Sequence, residues 1–272
     1  MAAENRRLLK DPQVVRELKR DALGRVEWMD GPDGPCVRRV ACGGRVPGSR
    51  LVARVLLARE RRALARLATA CEDEPRLAGS LPVLLDRPDY VRAASLDGRA
   101  PRSGDVLLRS WIEGVPLWAA ERLPQDFFER LEDLVHDVHA AGVCHNDLHK
   151  EPNLLVAPDG YPVLIDFQLA SCHGTFDRTW RTRSAEDHRH VLKHRRRYRL
   201  ATRDPDDPLP PALPKRRSLF ARVWMKTGKK LYNLVTRRLF AYQDGEPRRP
   251  SSGPWPVWTD PVGARSSRPP GS

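Results

Sequence analysis

The stretch whose reading decides the fold is GVCHNDLHKEPNLLVAPDGYPVLIDFQLA, residues 142–170. It carries two aspartates, Asp147 and Asp166, with Asn153 between them. Asp147 follows His145 and Asn146 in a polar loop. Asp166 leaves the apolar run Val163-Leu164-Ile165. The Ala-Pro-Asp-Gly sequence at 157–160 is good turn chemistry, so NLLVAPDGYPVLIDF predicts a tight hairpin that returns Asp166 to the side of Asp147. The plain alternative makes Asp147 a helix cap and Asp166 a surface strand residue. It fits poorly with an aspartate placed directly after a buried-type strand.

Working outward, the upstream segment PQDFFERLEDLVHDVHAAG predicts a helix with Pro124 near its start and Gly142 at its end. Further upstream, GRVEWMDGPDGPCVRRVACGG alternates and turns like a hairpin, with CVRRV as its second strand. SRLVARVLLARERRALARLA predicts a helix from the spacing of Leu51, Val55, Leu56, Leu64 and Leu67. DVLLRSWIEG predicts a strand that stops at Gly114. Downstream, AEDHRHVLKHRRRYRL predicts a basic helix, and DPDDPLPPALP a proline-rich break. The fold class expected is α+β, with a β-rich first half and a helical second half.

Composition narrows the context. The chain has 272 residues, a formal net charge of +13, a pI near 10.1 and 40% apolar residues. Charge of that size favours an anionic partner without choosing one. Five cysteines, an odd number with no C-x-x-C pair, argue against a disulfide framework or zinc knuckle and for a reducing compartment. The opening MAAENRRLLKDP has no apolar stretch, and no run approaches the ~18 apolar residues of a spanning helix. The expected location is cytoplasmic, with peripheral contact at the inner face of the cytoplasmic membrane as a further expectation.

HNDLHKEPN followed by LIDFQ resembles the protein kinase-like superfamily. It is closest in pattern to short bacterial kinase-like proteins related to lipopolysaccharide core kinases and to RIO-type atypical serine/threonine kinases. His145, Asn146, Asp147 and Asn153 match the catalytic loop with one extra residue before the asparagine. Asp166 and Phe167 match the Asp-Phe-Gly segment with Gln168 replacing glycine. The resemblance covers roughly residues 20 to 200. It implies a two-lobed fold: an N-lobe over residues 1–114, a reduced C-lobe over 115–244, and a tail over 245–272 that its composition predicts to be disordered.

The resemblance also implies roles. Asp147 would orient and deprotonate an acceptor hydroxyl, while Asn153 and Asp166 would hold Mg2+ on the phosphates of ATP. Lys150 or His149 would reach the γ-phosphate, and His145 would pack beneath the loop. Glu60, alone among the arginines of its helix, is the candidate partner for a phosphate-binding cation. No lysine occurs between Lys19 and Lys150, so Arg38 or Arg39 in CVRRV must supply that cation. Strand alternation points only one of them inward; Arg39 is the choice, because Val37 would then line the same pocket. LLRSWIEG resembles the hinge, with Arg109, Ser110 and Trp111 beside the adenine.

The implied activity is ATP-dependent phosphoryl transfer to a hydroxyl, on Ser/Thr of a protein or on a sugar of lipopolysaccharide core. The competing reading is a pseudokinase-type binding module docked on an anionic membrane. Residues 215–240 mix nine Lys and Arg with Leu219, Phe220, Trp224, Leu231 and Phe240, a pattern suited to an interfacial helix or to a helix packed on the C-lobe. No aromatic-rich RNA motif or zinc spacing supports nucleic-acid binding.

Overall fold

The computed structural model describes residues 13–20, 23–31, 34–42, 48–73, 77–92, 102–202 and 255–261. The expected basic stretch at 215–240 lies outside these residues. The fold is α+β. In the first half β1 (Gln13–Arg20), β2 (Arg25–Asp30), β3 (Cys36–Val40) and β4 (Val106–Ser110) form one antiparallel sheet in that order. The long helix α1 (Ser49–Asp73) and the short α2 (Pro88–Arg92) accompany it.

The chain then passes to β5 (Val115–Pro116), which pairs with β8 (Leu154–Val156) of the hairpin β8–β9 (Pro162–Leu164). A Cβ on Gly114 would come within 3.0 Å of the Val156 carbonyl, so the linker crosses the hairpin where only glycine fits closely. The second half is completed by β6 (Arg122–Pro124), α3 (Phe127–Ala140), β7 (Val143–Cys144) paired with β10 (Ser171–Cys172), α4 (Arg178–Ala201) and β11 (Val257–Thr259). No described helix is long and apolar enough to cross a membrane.

Helix α1 buries a different face from the one its large apolar residues suggest. Leu51 and Val55 are exposed, and the buried line runs Ala53, Leu57, Glu60, Ala63, Leu64 and Leu67. That line keeps the three- and four-residue spacing of a helix face. Alanines at 53 and 63 let the helix approach closely, and Glu60 falls in the middle of the buried stripe. Ala53 and Leu57 pack on Ala41 and Leu107 beneath the sheet. Ala63, Leu64 and Leu67 enter the larger core with Leu131, Val135, Leu164 and Phe167. One helix of 25 residues, about 37 Å long, therefore ties both halves together.

Two helix starts differ from expectation, while the end of α3 before Gly142 agrees with it. Pro124 closes β6, and α3 starts three residues later at Phe127. At its C-terminus Gly142 takes φ +75°, and a Cβ there would meet the His173 carbonyl at 2.6 Å. Helix α4 begins at Arg178, seven residues before the expected start, because the Asp177 side chain accepts from Trp180 N at 2.8 Å. Within the tail expected to be disordered, β11 pairs in parallel with β6. Trp255 and Trp258 pack against the core: Trp258 sits 6.3 Å from Phe128, and its indole nitrogen donates to Thr202 Oγ1 at 2.6 Å.

These contacts make the returning strand part of the second lobe. The Trp258→Ala variant is expected to lose about 2–4 kcal/mol of stability in urea unfolding. A loss below about 0.5 kcal/mol would mean that β11 does not belong to the folded unit.

Candidate active site

The site is assembled from three directions. The loop after β7 carries Asp147, the hairpin β8–β9 returns Asp166, and β3 with α1 supplies Arg39 and Glu60. Asp147 is buried, with only 3% of its surface exposed. Asn153 Nδ2 donates to Asp147 Oδ2 at 3.1 Å and to the Asp147 carbonyl at 3.0 Å. Lys150 Nζ stands 3.1 Å from Asp147 Oδ2, and His149 Nδ1 stands 3.1 Å from Oδ1. That Oδ1 makes no well-aligned hydrogen bond despite its burial. The Asn153 carbonyl accepts from Ile165 N at 3.0 Å, which fixes Asp166 one residue beyond the asparagine.

Asp166 adopts the left-handed conformation, with φ 67° and ψ 65°. A non-glycine residue there is strained, and tertiary contacts must hold it. Arg39 is the main one: its NH1 lies 3.0 Å from Asp166 Oδ1 and 2.9 Å from Glu60 Oε2. Arg109 Nε is 3.6 Å from Glu60 Oε1. Two guanidiniums and two carboxylates thus form a balanced cluster in which every buried charge faces an opposite one. Burial pushes the Glu60 carboxyl up, against the pull of Arg39 and Arg109. Burial also opposes the charge on Asp166, but Arg39, with help from Lys150 and His145, outweighs it and brings the carboxyl down to about 2.

Strand register explains which arginine does this. Arg39 pairs with Leu107 and Val37 with Arg109, so all four share the face turned to α1. Arg38 projects from the other face, and as a nucleotide-binding candidate it is corrected: its Nε binds Glu27 at 2.6 Å and its NH1 binds the Tyr90 carbonyl at 2.8 Å. Arg109, expected beside the adenine, turns instead to Glu60. At the hinge the Ser110 hydroxyl accepts from Val83 N at 2.9 Å, and Trp111 packs against Trp28 with ring centroids 5.9 Å apart. His145 lies under the loop, its Nε2 2.9 Å from the Ile165 carbonyl and its ring 4.6 Å from Phe167.

Sequence reasoning missed the residues of α4 that hold the loop. Buried Asp187 accepts from His145 N at 2.7 Å and from Asn146 N at 2.8 Å, and faces His139 Nε2 at 3.2 Å. Asn146 is the second non-glycine residue with positive φ, and its side-chain amide spans the Cys144 and Leu169 carbonyls and Ser171 Oγ. Glu151, in the loop between Asp147 and Asn153, is gripped by Arg197, by the Tyr198 hydroxyl at 3.0 Å and by His194. His194 Nε2 also meets the Leu148 carbonyl at 2.9 Å. The available signal was the spacing of Asp187, Val191, His194 and Tyr198 on one face of a helix otherwise crowded with arginine.

The depressed Asp166 carboxyl has a consequence for acid stability. Its charge favours the folded state above the ordinary carboxylate range near 4, and that advantage disappears as pH falls from there toward 2. The Asp166→Asn variant should therefore lose less stability than the unmutated chain between pH 5 and pH 3, read from urea midpoints. An equal loss in both would contradict the pairing with Arg39.

An aspartate in a buried loop, an asparagine and a second aspartate beside it, and a strand cation locked to a helix glutamate are the kinds of parts that phosphoryl transfer requires. No curated protein sequence matches the chain. The phosphotransferase enzyme family, APH, matches it over residues 7–173, more than half its length and the span that contains every one of those parts. The chain belongs to that phosphotransferase family and has its kinase-like, two-lobed fold.

Proposed function

We propose that the chain transfers the γ-phosphoryl group of ATP to a hydroxyl, with Asp147 as the base and Arg39 and Lys150 as the phosphate-binding cations. The observation that carries this reading is the single Arg39 guanidinium nitrogen held between Glu60 and Asp166. It joins the strand cation of one lobe to the aspartate of the other, with Lys150 and Asp147 alongside. Arginine in place of lysine keeps a permanent charge and a planar fork suited to phosphate oxygens.

The residues present fit Mg2+. Asn153 and Asp166 would hold it with hard oxygen donors, the kind this ion prefers. Asp166 stays ionised across the physiological range. The Asn153 amide gives its nitrogen to Asp147, which turns its oxygen the other way. When bound, the ion offsets the negative charge on the phosphate oxygens. The chain's own groups do the rest. Asp147 accepts the acceptor proton on its carboxylate, and Lys150 beside it compensates charge as the phosphoryl group moves.

The acceptor falls within the two classes read from the sequence, Ser/Thr of a protein or a sugar of lipopolysaccharide core, and the reaction belongs in the cytoplasm, where ATP is supplied. The replacement of the strand lysine favours the second reading, a binding module without turnover, and it is decided by the same assay. With γ-labelled ATP and acceptor extracts, the unmutated chain should transfer label. Asp147→Asn should lower kcat by about 10²–10⁴-fold with ATP affinity retained. Asp166→Ala should abolish transfer and its dependence on added Mg2+. ATP binding without transfer in the unmutated chain, with every acceptor tried, would establish the binding module instead.

A further inference from the structure

Helix α4 is the most heavily charged element among the described residues. Between Arg178 and Ala201 it carries nine Lys and Arg against two acids, Glu186 and Asp187. Several of these cations have structural partners: Arg195 binds Glu129 and Glu132, Arg199 binds Gln125, and Arg197 binds Glu151. The helix is nevertheless strongly positive, and it lies directly against the loop that bears Asp147.

One stripe of α4 leads away from that aspartate. His190 faces His149 with ring centroids 5.7 Å apart, and His149 Nδ1 stands 3.1 Å from Asp147 Oδ1. Helical spacing places Lys193, Arg197, Leu200 and Ala201 along the same side as His190. Lys193, Arg196, Arg197, Leu200, Ala201 and Trp255 line an open surface groove of about 470 Å³. Its cations begin one turn from His190 and end two turns away, about 5–10 Å along the axis. The Arg197 guanidinium lies 5.4 Å from the centroid of the Trp255 ring, which is itself braced at 5.4 Å by Tyr198.

We infer that this groove binds the acceptor through a phosphate group, so that the substrate is a small phosphorylated saccharide whose free hydroxyl reaches Asp147. The inference rests on the phosphotransferase reading above and deepens its sugar-acceptor class, the phosphorylated saccharide being the part of the acceptor that the groove holds. The volume suits a small molecule or one sugar-sized end of a larger one. Clustered cations select an anion and reject a polycationic acceptor, which would meet like charge at every step. Leu200, Ala201 and Trp255 add an apolar wall for the C–H face of a sugar ring. The distance along α4 from the groove to His190 is the reach of one or two sugar units.

The test uses the full chain and two probes, glucose 6-phosphate and glucose, by titration calorimetry without nucleotide. The phosphorylated sugar should bind more tightly, and inorganic phosphate should compete with it. The double variant K193E/R196E should weaken it more than about tenfold, as loss of charge-assisted contacts requires. The double variant R181E/R183E, an equal charge reversal at two exposed positions near the start of the same helix, should leave the affinity unchanged and serves as the control. Equal binding of both sugars, or unchanged binding by K193E/R196E, would overturn the inference. So would displacement of the sugar phosphate by anionic phosphatidylglycerol vesicles or by a short RNA at lower concentration, because the groove would then serve a polyanion. Transfer from ATP to an acceptor without any dependence on Lys193 and Arg196 would overturn this inference alone. Sugar-phosphate binding with the expected pattern but no transfer from ATP would overturn the acceptor role and the proposed function together.

Discussion

The guanidinium of Arg39, shared between a fully buried Glu60 and Asp166, is the contact on which the rest of the structure depends. A buried carboxylate without a counter-charge costs several kcal/mol, and breaking such a pair from one side typically costs about 3–5 kcal/mol. That penalty fixes three things at once. Strand β3 must present Arg39 and not Arg38 toward α1. Helix α1 must bury the stripe that contains Glu60, even though Leu51 and Val55 are larger and more apolar. The hairpin β8–β9 must deliver Asp166 in its left-handed conformation close enough to reach the same nitrogen. The two lobes are therefore registered by charge at the site itself, while Leu64, Leu67 and Phe167 supply the apolar contact behind it.

The second constraint comes from α4. The Asp147 loop contains positive φ at Asn146 and a short 3-10 turn at Glu151–Asn153, so it has little regular structure of its own. Asp187 satisfies two of its backbone N–H groups, His194 meets a third backbone group at Leu148, and Glu151 is held by Arg197 and Tyr198. Tyr198 and Arg197 are in turn packed by Trp255. Trp255, just ahead of β11 and more than fifty residues downstream of α4, thus supports the loop through two intermediates. Holding a loop carboxylate within a few tenths of an ångström requires such outer support, because a loop alone does not restrict it.

The second half of the fold was legible because its signals are local. The Pro-Asp-Gly turn, Gly142 after an amphipathic helix, and the asparagine and aspartate at fixed offsets from Asp147 each act through near neighbours in sequence. The β2–β3 hairpin and the alternation that separates Arg38 from Arg39 were legible for the same reason. Strand β1 was not: Gln13–Arg20 is a largely exposed edge strand, and Glu17 and Arg20 pair at a spacing that a helix would also allow. The α4 anchors were hidden by composition, since an arginine-rich helix conceals the few polar residues that point inward. The turn of Arg109 toward Glu60 and the docking of β11 on β6 depend on contacts between distant segments, for which sequence spacing carries no local mark.

The most direct test of the account is a crystal structure of the full chain with Mg2+ and a non-hydrolysable ATP analogue. The account predicts a metal ion ligated by Asn153 Oδ1 and a carboxylate oxygen of Asp166. Arg39 would lie on the α- or β-phosphate while keeping Glu60, and the γ-phosphate would stand between Lys150 and Asp147. A nucleotide bound away from Asp166, or phosphates bound with no metal between Asn153 and Asp166, would contradict it.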